Sequence, residues 1–362
     1  MTECSVFGKY GRESVTKYTL RHPSGAFAEV ITYGATLVNL TTPNKRGVCE
    51  NIVLSYDTFN DFVRDGFYFG RTVGRYANRI AKGKFILDDV EYQLPMNNGI
   101  HHLHGGYLGF HRKLWKPFVI SDNIVSFTCL SADGEMGYPG DVMANVTYSL
   151  ISGENGSVKL VLDYNAMATR STPLNMTNHS YFNLGGRDAG REALLQHQIQ
   201  IFADRITESK ADLTPTGKII PVAGTPFDFR EMKPLTADLL SKVDGGGQPG
   251  FDQNFCINDV GEGDNFTTLR SAAYVQHPDS GRFLKVFTTL PGVQFYTGNF
   301  LPQTQDDADE IFGKFYGQHS GFCLETQFYP DSPNQPHFPS TILKPGTAYR
   351  SRTEFEVGIL QQ

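Results

Sequence analysis

The stretch Val158-Lys-Leu-Val-Leu-Asp-Tyr164 carries the pattern that decides the fold. Val158, Leu160, Leu162 and Tyr164 fall on one face of an extended strand, because successive side chains of a strand point to opposite faces. The same period of two recurs on both sides, and 37 glycines and 19 prolines punctuate the chain. Many short strands separated by turns predict an all-β sandwich or barrel. Further predicted strands are residues 124–130, 142–150, 196–201, 283–288 and 354–359.

Two segments have the pattern of a strand, a turn and a second strand. Residues 27–40 carry a turn signal at Tyr33-Gly34, and residues 84–94 turn at Asp88-Asp89, whose short acidic side chains suit a tight turn. Helical signals are few and cover residues 234–240, with Pro234 near the first turn, and residues 306–315. The glycine-rich stretch 244–250 is interpreted as a loop, because strand patterning continues on both sides. We therefore predict one domain over residues 1–362.

Composition excludes several classes of protein. Hydrophobic residues make up 40% and charged residues 19% of the 362 residues, so broad disorder is not expected. A net charge of -6 without a basic block argues against nucleic acid or an anionic membrane as partner. The N-terminus lacks an apolar core of signal-peptide length, and five scattered cysteines form no CxxC pair. These features predict a cytoplasmic protein with reduced thiols.

Two titratable residues are candidates for proton transfer. Glu325 lies in the strand-like run Cys-Leu-Glu-Thr-Gln-Phe. If Cys323 and Glu325 share an internal face, burial raises the pKa of the carboxyl toward that of a useful base; an outward-facing glutamate is the ordinary alternative. His179 stands among asparagines and a serine. Histidine is the side chain best suited to exchange a proton near neutrality, although a hydrogen-bonded structural histidine would occupy the same context.

Other polar side chains suit the hydroxyls of a sugar. Asp252, Asn254, Asn78 and Arg79 offer paired donors or acceptors, although Arg79 could equally serve in a structural ion pair. His104 precedes a glycine pair, where backbone and ligand can approach closely or where the chain simply turns.

Metal, nucleotide and serine-hydrolase chemistry find little support in the sequence. His102 and His104 would share a face of a strand beside His101, but nothing local supplies a third metal ligand of defined geometry. The chain has no GxxxxGK[ST], no GxGxxG between a strand and a helix, and no GxSxG. We predict no metal and no cofactor.

The candidate residues Glu325, His179, Asp252, Asn254, Asn78, Arg79 and His104 lie within seven runs of sequence. Together these runs resemble the galactose mutarotase (aldose 1-epimerase) family. The runs follow the family's order and cover nearly the whole chain. Each run alone is weakly specific, whereas seven in register are highly specific. They are residues 74–83 (GRYANRIAKG), 103–106 (LHGG), 133–140 (DGEMGYPG), 177–184 (TNHSYFNL), 250–255 (GFDQNF), 290–300 (LPGVQFYTGNF) and 324–333 (LETQFYPDSP).

The resemblance implies a large antiparallel β-sandwich of the supersandwich type, with the site in a groove on the sheet. It implies Glu325 as general base and His179 as general acid, with His104 as a second histidine beside the sugar. The implied ligands of the sugar hydroxyls are Asn78, Arg79, Asp252 and Gln294. Many members of the family carry histidine where this chain has Gln253, which leaves the neighbouring sugar contacts open.

The implied activity is that of an aldose 1-epimerase, which exchanges the α and β anomers of free hexoses such as D-galactose and D-glucose. Anomer exchange breaks and remakes the C1–O5 bond, so the C1 hydroxyl must lose a proton as the ring oxygen gains one. A carboxylate and an imidazolium on either side of the sugar supply both transfers. The expected partner is a free aldose, and the protein is expected to be a monomer or a weak dimer.

Three other functions stay open at this point. A hexose-6-phosphate 1-epimerase needs surplus basic residues at its site, where the segments offer Arg75 and Arg79. A carbohydrate-binding protein without activity needs no acid–base pair. A glycosidase needs two carboxylates, a role that Asp252 and Glu325 could fill.

Overall fold

The computed structural model describes residues 2–261, 263–304 and 314–361, and strands make up most of its regular structure. The strands are β1 Glu3–Tyr10, β2 Glu13–Arg21, β3 Phe27–Ile31, β4 Thr36–Pro43, β5 Cys49–Asn51, β6 Thr72–Val73, β7 Arg79–Ile80, β8 Lys84–Leu87, β9 Val90–Gln93, β10 His102–Leu103, β11 Lys116–Ser121, β12 Ile124–Ser131, β13 Val142–Ser152, β14 Val158–Ala168, β15 Thr172–Pro173, β16 Thr177–Asn178, β17 Tyr181–Phe182, β18 Gln198–Ile201, β19 Arg205–Ser209, β20 Pro215–Pro221, β21 Lys233–Pro234, β22 Asp252–Cys256, β23 Arg270–His277, β24 Arg282–Thr288, β25 Gly292–Tyr296, β26 Phe322–Gln327, β27 Ile342–Leu343 and β28 Tyr349–Ile359. The α-helices are α1 Phe59–Arg64, α2 Gly190–Leu194 and α3 Ala237–Ser241, and 3₁₀ turns occur at Ala81–Gly83, Phe110–Arg112, Glu135–Gly137, Glu154–Gly156 and Ser332–Asn334.

One layer of the fold is a nine-stranded antiparallel sheet. Its order is β11-β12-β13-β14-β28-β24-β23-β18-β21. Val158, Leu160, Leu162 and Tyr164 of β14 are all buried on its inner face, which confirms the period-two pattern of this stretch. The inner face is apolar because alternate residues of each strand pack into the core, while the intervening residues face outward.

The facing layer contains a five-stranded sheet and a six-stranded sheet. The five-stranded sheet has the order β1-β2-β3-β4-β5, and the six-stranded sheet has the order β17-β26-β25-β22-β19-β20. One large hydrophobic cluster joins residues from all three sheets, such as Leu37, Phe127 and Leu324. The chain is therefore an antiparallel β-sandwich, and the all-β prediction is confirmed.

Most local predictions are confirmed, with small shifts at strand ends. The hairpin of β8 and β9 turns at Asp88-Asp89, both with positive φ (50° and 61°), as tight hairpin turns require. The predicted helix at 234–240 is wrong at its start, because Pro234 pairs with Gln198 in the sheet. The helix begins only after Thr236, whose side chain accepts a hydrogen bond from the backbone N–H of Leu239.

Other predictions concern loops and chain organisation. The stretch 244–250 is a loop that leads into β22, as expected. The predicted helix at 306–315 lies largely outside the described residues. The single-domain organisation stays a prediction. Within the described part of the chain, none of the helices has the length and apolar character needed to cross a bilayer.

Candidate active site

All seven residues proposed from the sequence line one pocket of about 210 Å³. They reach it from the start of β7 and the residue before it, the loop after β10, the residue after β16 and the middle strands of the six-stranded sheet. The pocket is lined by Gly66, Phe67, Tyr68, Asn78, Arg79, Asn98, Leu103, His104, His179, Tyr181, Asp252, Gln294, Tyr296, Phe300 and Glu325.

Strand register places three of these residues on one face of the six-stranded sheet. Gln294 of β25 pairs with Glu325 of β26 on one side and with Asn254 of β22 on the other. Asp252 lies two residues before Asn254 in β22, so it points to the same face. Neighbours in register point to the same side of a sheet. The opposite face of these strands belongs to the hydrophobic core, so the strands are buried on both faces.

Glu325 is a buried carboxylate with few partners. Its side chain is 3% exposed, and Oε1 lies 3.6 Å from Nε2 of His179. Among the described residues no hydrogen bond is made to Oε2. Burial raises the pKa of Glu325 well above the usual 4.5, and the charge of Asp252 raises it further, while Arg79 opposes the shift. The expectation that Cys323 and Glu325 share an internal face is confirmed.

His179 follows β16, and its backbone is fixed by two hydrogen bonds. Its N–H donates to the carbonyl of Arg71, and its own carbonyl accepts from the N–H of Gly70. The imidazole Nδ1 lies 3.6 Å from Sγ of Cys323. Burial lowers the pKa of His179 to about 3, a hydrogen bond to the residue's own backbone opposes this shift, and Arg71 adds a smaller lowering. In the sugar-free protein, burial therefore disfavours the imidazolium form of His179 that the expected proton transfer requires.

His104 points a hydrogen-bond donor into the pocket. It has positive φ (51°), and its Nδ1 accepts from the backbone N–H of Asn78 at 3.2 Å. A backbone N–H can only donate, so the neutral ring must carry its proton on Nε2. Burial holds the pKa of His104 well below 6.5, so the ring is neutral near pH 7.

The fold brings together three of the expected site residues as a set of metal-ligand types, a combination that sequence reasoning did not consider. Ligand-type atoms of His104, His179 and Glu325 lie within 4.8 Å of one another. A metal would need a lone pair on His104, but one ring nitrogen accepts a backbone N–H and the other carries the proton. The cluster therefore does not fit a resident metal ion.

The neighbouring histidines of the same segment lie apart from the cluster. His102 donates from Nδ1 to the carbonyl of Pro95 at 2.7 Å and accepts at Nε2 from the Tyr138 hydroxyl at 2.8 Å. The Nε2 atom of His101 lies 3.3 Å from the carboxylate of Asp212. The expected common strand face of His102 and His104 is wrong, because β10 ends at Leu103.

The remaining pocket residues form a hydrogen-bonded rim. Gln294 donates from Nε2 to Asp252 at 2.6 Å, and Arg79 donates from Nε to Asn98 at 3.2 Å. Burial raises the pKa of Asp252, while Arg79 lowers it. The Oδ1 atom of Asn78 accepts from the N–H of Arg79 at 2.8 Å.

Three other residues considered from the sequence lie outside the pocket lining. Asn254 lies deeper on the same sheet face, where its Oδ1 accepts from Gln327 at 3.2 Å. Gln253 points to the other face and donates to the carbonyl of Thr207. Arg75 is buried and donates to the side chain and carbonyl of Ser131 and to two further carbonyls.

Sequence reasoning missed the aromatic part of the pocket. Tyr181 and Tyr296 lie inside two of the seven runs, two residues after His179 and Gln294 respectively. Tyr68 lies in the run Asp65-Gly-Phe-Tyr-Phe-Gly70, and aromatics bracketed by glycines were the available signal. Phe67 and Phe300 also line the pocket.

A β-sandwich that buries a carboxylate and an imidazole 3.6 Å apart, among side chains suited to hydroxyl groups, is typical of acid–base enzymes that act on sugars. A family model described as aldose 1-epimerase matches residues 16–356. The chain belongs to the aldose 1-epimerase family. It is an epimerase, an enzyme of the isomerase class, and its reaction is the exchange of sugar anomers.

Individual relatives agree with this assignment. A galactose mutarotase of Rattus norvegicus is 43% identical over 357 residues, covering 98% of each chain. A galactose mutarotase of Bos taurus is 44% identical with the same coverage. The crystal structure of an aldose epimerase homologue from C. elegans superposes with a TM-score of 0.83 at 29% identity, covering 95% of this chain and 98% of the other.

Proposed function

We propose that the protein exchanges the α and β anomers of free hexoses such as D-galactose and D-glucose, with Glu325 as general base and His179 as general acid. The observation that carries these roles is the distance of 3.6 Å between Glu325 Oε1 and His179 Nε2, in a pocket whose other lining residues are mainly hydrogen-bonding or aromatic. Two proton-transfer groups on one reacting centre are what the reaction requires.

The proton balance of the reaction can be followed through this pair. Glu325 takes the proton of the C1 hydroxyl, His179 gives a proton to the ring oxygen, and the C1–O5 bond breaks. The aldehyde then turns about the C1–C2 bond, and the reverse transfers close the ring on its other face. The pair holds one proton in total before and after ring opening, because His179 gives one proton to the sugar and Glu325 takes one from it.

The environment of the pair favours the ring-opened state. Burial raises the pKa of Glu325 and lowers the pKa of His179, so a protonated Glu325 beside a neutral His179 is the stable distribution. That distribution accompanies the open-chain sugar. Hydrogen bonds from sugar hydroxyls to Glu325 favour its carboxylate, so binding of the closed ring moves the proton toward His179.

The other five residues would bind and orient the sugar. His104 offers an Nε2–H donor, and Arg79 and Asn78 offer further donors to the pocket. Asp252 and Gln294 are already joined by a hydrogen bond, so they present a fixed pair of groups to neighbouring hydroxyls. Hydrogen bonding to fixed polar groups is how a site selects one hydroxyl pattern.

The charge of the pocket supports a free sugar over a phosphorylated one. Among the described residues that line the pocket, Arg79 is the only lysine or arginine, and Arg75 is committed to buried carbonyl and hydroxyl oxygens. A phosphate group is normally held by several cationic or backbone donors. We therefore favour unphosphorylated hexoses.

Polarimetry on pure α-D-galactose and α-D-glucose, with wild-type protein and Glu325→Gln, tests the proposal. We expect the wild type to speed the change of optical rotation and the variant to bind galactose without doing so. Galactose binding without acceleration by the wild type would favour a carbohydrate-binding protein. Faster turnover of glucose 6-phosphate would favour the phosphorylated substrate, and release of nitrophenol from a nitrophenyl galactoside would favour a glycosidase.

We also propose that the protein acts in the cytoplasm, as a monomer or weak dimer.

A further inference from the structure

Among the described residues, no carboxylate lies against Nδ1 of the His179 imidazole. Many catalytic histidines hold their second nitrogen against a carboxylate, which stabilises the imidazolium. Instead, Sγ of the Cys323 thiol lies 3.6 Å from Nδ1. A thiol is a weak, uncharged partner, so it offers little stabilisation to a proton on the ring.

The charged and titratable groups around the ring also disfavour its protonation, apart from Glu325. Burial and Arg71 lower the pKa of His179, and a hydrogen bond to the residue's own backbone offsets only part of that lowering. His104 lies 5.2 Å away between ring centres and is itself buried and neutral. Glu325 faces Nε2, but it must take up a proton during the reaction, so its charge disappears as the sugar opens. A general acid in this position needs support from groups that do not titrate.

Two tyrosine rings lie nearly parallel to the imidazole. The Tyr68 ring centre is 5.7 Å from that of His179 at an interplanar angle of 19°, and the Tyr181 ring centre is 5.2 Å away at 23°. An aromatic face within about 6 Å attracts a cation, and the attraction is larger in a site removed from water. The same stacking limits rotation of the imidazole, so Nε2 stays directed at Glu325.

We propose that Tyr68 and Tyr181 are positioning residues that stabilise the protonated imidazole of His179 through their aromatic faces. This inference rests on the proposed role of His179 as general acid. The two phenol hydroxyls are not required for this role. We infer that the electron density of the two aromatic faces, and not only the shape of the rings, supports proton donation from His179 to the sugar ring oxygen.

Tyr68 is the better residue to test. It is half-buried on the pocket wall and has positive φ (63°), so any replacement must accept the same backbone conformation. Phenylalanine and leucine are both unbranched at Cβ, so they share this backbone cost. Tyr181 is 2% exposed and packs on Phe69 and Tyr296, so its removal would disturb the core.

The experiment compares Tyr68→Phe, Tyr68→Leu and phenylalanines of increasing ring fluorination at position 68, by polarimetry on α-D-galactose. We expect Tyr68→Phe to keep kcat within about threefold of the wild type and Tyr68→Leu to lower it about 10- to 30-fold, with KM changed less than about threefold. Fluorination draws electron density from the ring face while the ring shape changes little. We therefore expect kcat to fall stepwise from Phe to trifluoro-Phe.

Tyr274→Leu, on the nine-stranded sheet against Phe283, is the matched control and should leave both constants unchanged. Equal kcat values for the Phe and Leu variants would overturn the inference, and so would a flat response to fluorination. A Tyr68→Phe variant as slow as Tyr68→Leu would assign the effect to the hydroxyl and would also overturn it. Wild-type protein that does not speed anomer exchange would instead contradict the proposed function, so the two failures are distinguishable.

Discussion

Glu325 in the six-stranded sheet and Glu354 in the nine-stranded sheet are equally buried strand glutamates in different surroundings. Their exposed fractions are 3% and 4%. Glu354 lies 3.0 Å from Nζ of Lys159 and 2.8 Å from Nε of Arg352. Glu325 has a neutral imidazole at 3.6 Å and, within the described residues, an Oε2 atom without a hydrogen bond.

The difference separates a carboxylate held by structural ion pairs from the one that we propose as the catalytic base. Burying a carboxylate is unfavourable unless cations and donors compensate for the lost water, and Glu354 has both. Glu325 is left with an uncompensated buried oxygen beside a histidine. A site that keeps such a group in spite of its effect on stability is a candidate for acid–base chemistry.

The largest effect that separates these two glutamates is expected on turnover. Glu325→Gln should lower kcat for α-D-galactose at least about 10³-fold, because glutamine cannot take up the proton of the C1 hydroxyl. Glu354→Gln should keep kcat but lower the free energy of unfolding by about 1–3 kcal/mol, because Lys159 and Arg352 lose part of their partner. Polarimetry and urea unfolding measure the two quantities. Near-normal turnover in Glu325→Gln would break the comparison.

A second comparison sets His179 against His102, which are both buried. His179→Asn should lower kcat about 10²- to 10³-fold with little change in KM, because the ring oxygen loses the proton donor that we propose. His102→Asn should leave kcat nearly unchanged and lower the free energy of unfolding by about 1–2 kcal/mol, because Tyr138 and Pro95 lose their partner. An effect of His179→Asn on KM alone would assign that residue to binding.

The third expected effect concerns the pH dependence of stability. The pKa of Glu325 is raised in the folded protein, so the folded state holds its proton more tightly than the unfolded chain does. This contribution to stability is fully present below about pH 4.5 and is lost as the pH rises through the pKa of the folded state.

Glutamine at position 325 does not titrate, so it lacks this pH dependence. We expect Glu325→Gln and the wild type to unfold at similar urea concentrations near pH 4.5. The variant should gain on the wild type by at most about 1.4 kcal/mol per pH unit above that. A stability difference that stays constant from pH 4.5 to 8 would contradict a raised pKa in the folded protein.

Much of the fold and the site follows from the sequence, because both depend on local patterns. The period of two in Val158–Tyr164 predicts the inner face of β14. The order of the sequence motifs predicts that Glu325 and His179 belong to one site. Pairing between distant strands is not local, so the register of Gln294 with Glu325 had to come from the fold.

Tyr68 and His104 illustrate what local patterns leave out. Both have positive φ in irregular segments, where no periodicity predicts the direction of a side chain. The tautomer of His104 depends on a backbone N–H 26 residues away. The sequence also did not predict the contacts of Gln253, because these contacts depend on which face of the sheet the side chain occupies.

The smallest expected effect comes from Gln253→His, which restores the residue that many members of the family carry. Gln253 and Asp252 are adjacent in β22, so their side chains point to opposite faces of the sheet. Gln253 donates to the carbonyl of Thr207 on the side away from the pocket, whereas Asp252 lines the pocket. A histidine there can make a similar bond without reaching the sugar, so kcat/KM for galactose should change less than about threefold, or about 0.7 kcal/mol. A tenfold or larger change in kcat/KM, with unchanged stability, would contradict this expectation. It would mean that a substitution on the face of β22 away from the pocket alters sugar turnover, so the two faces are not independent.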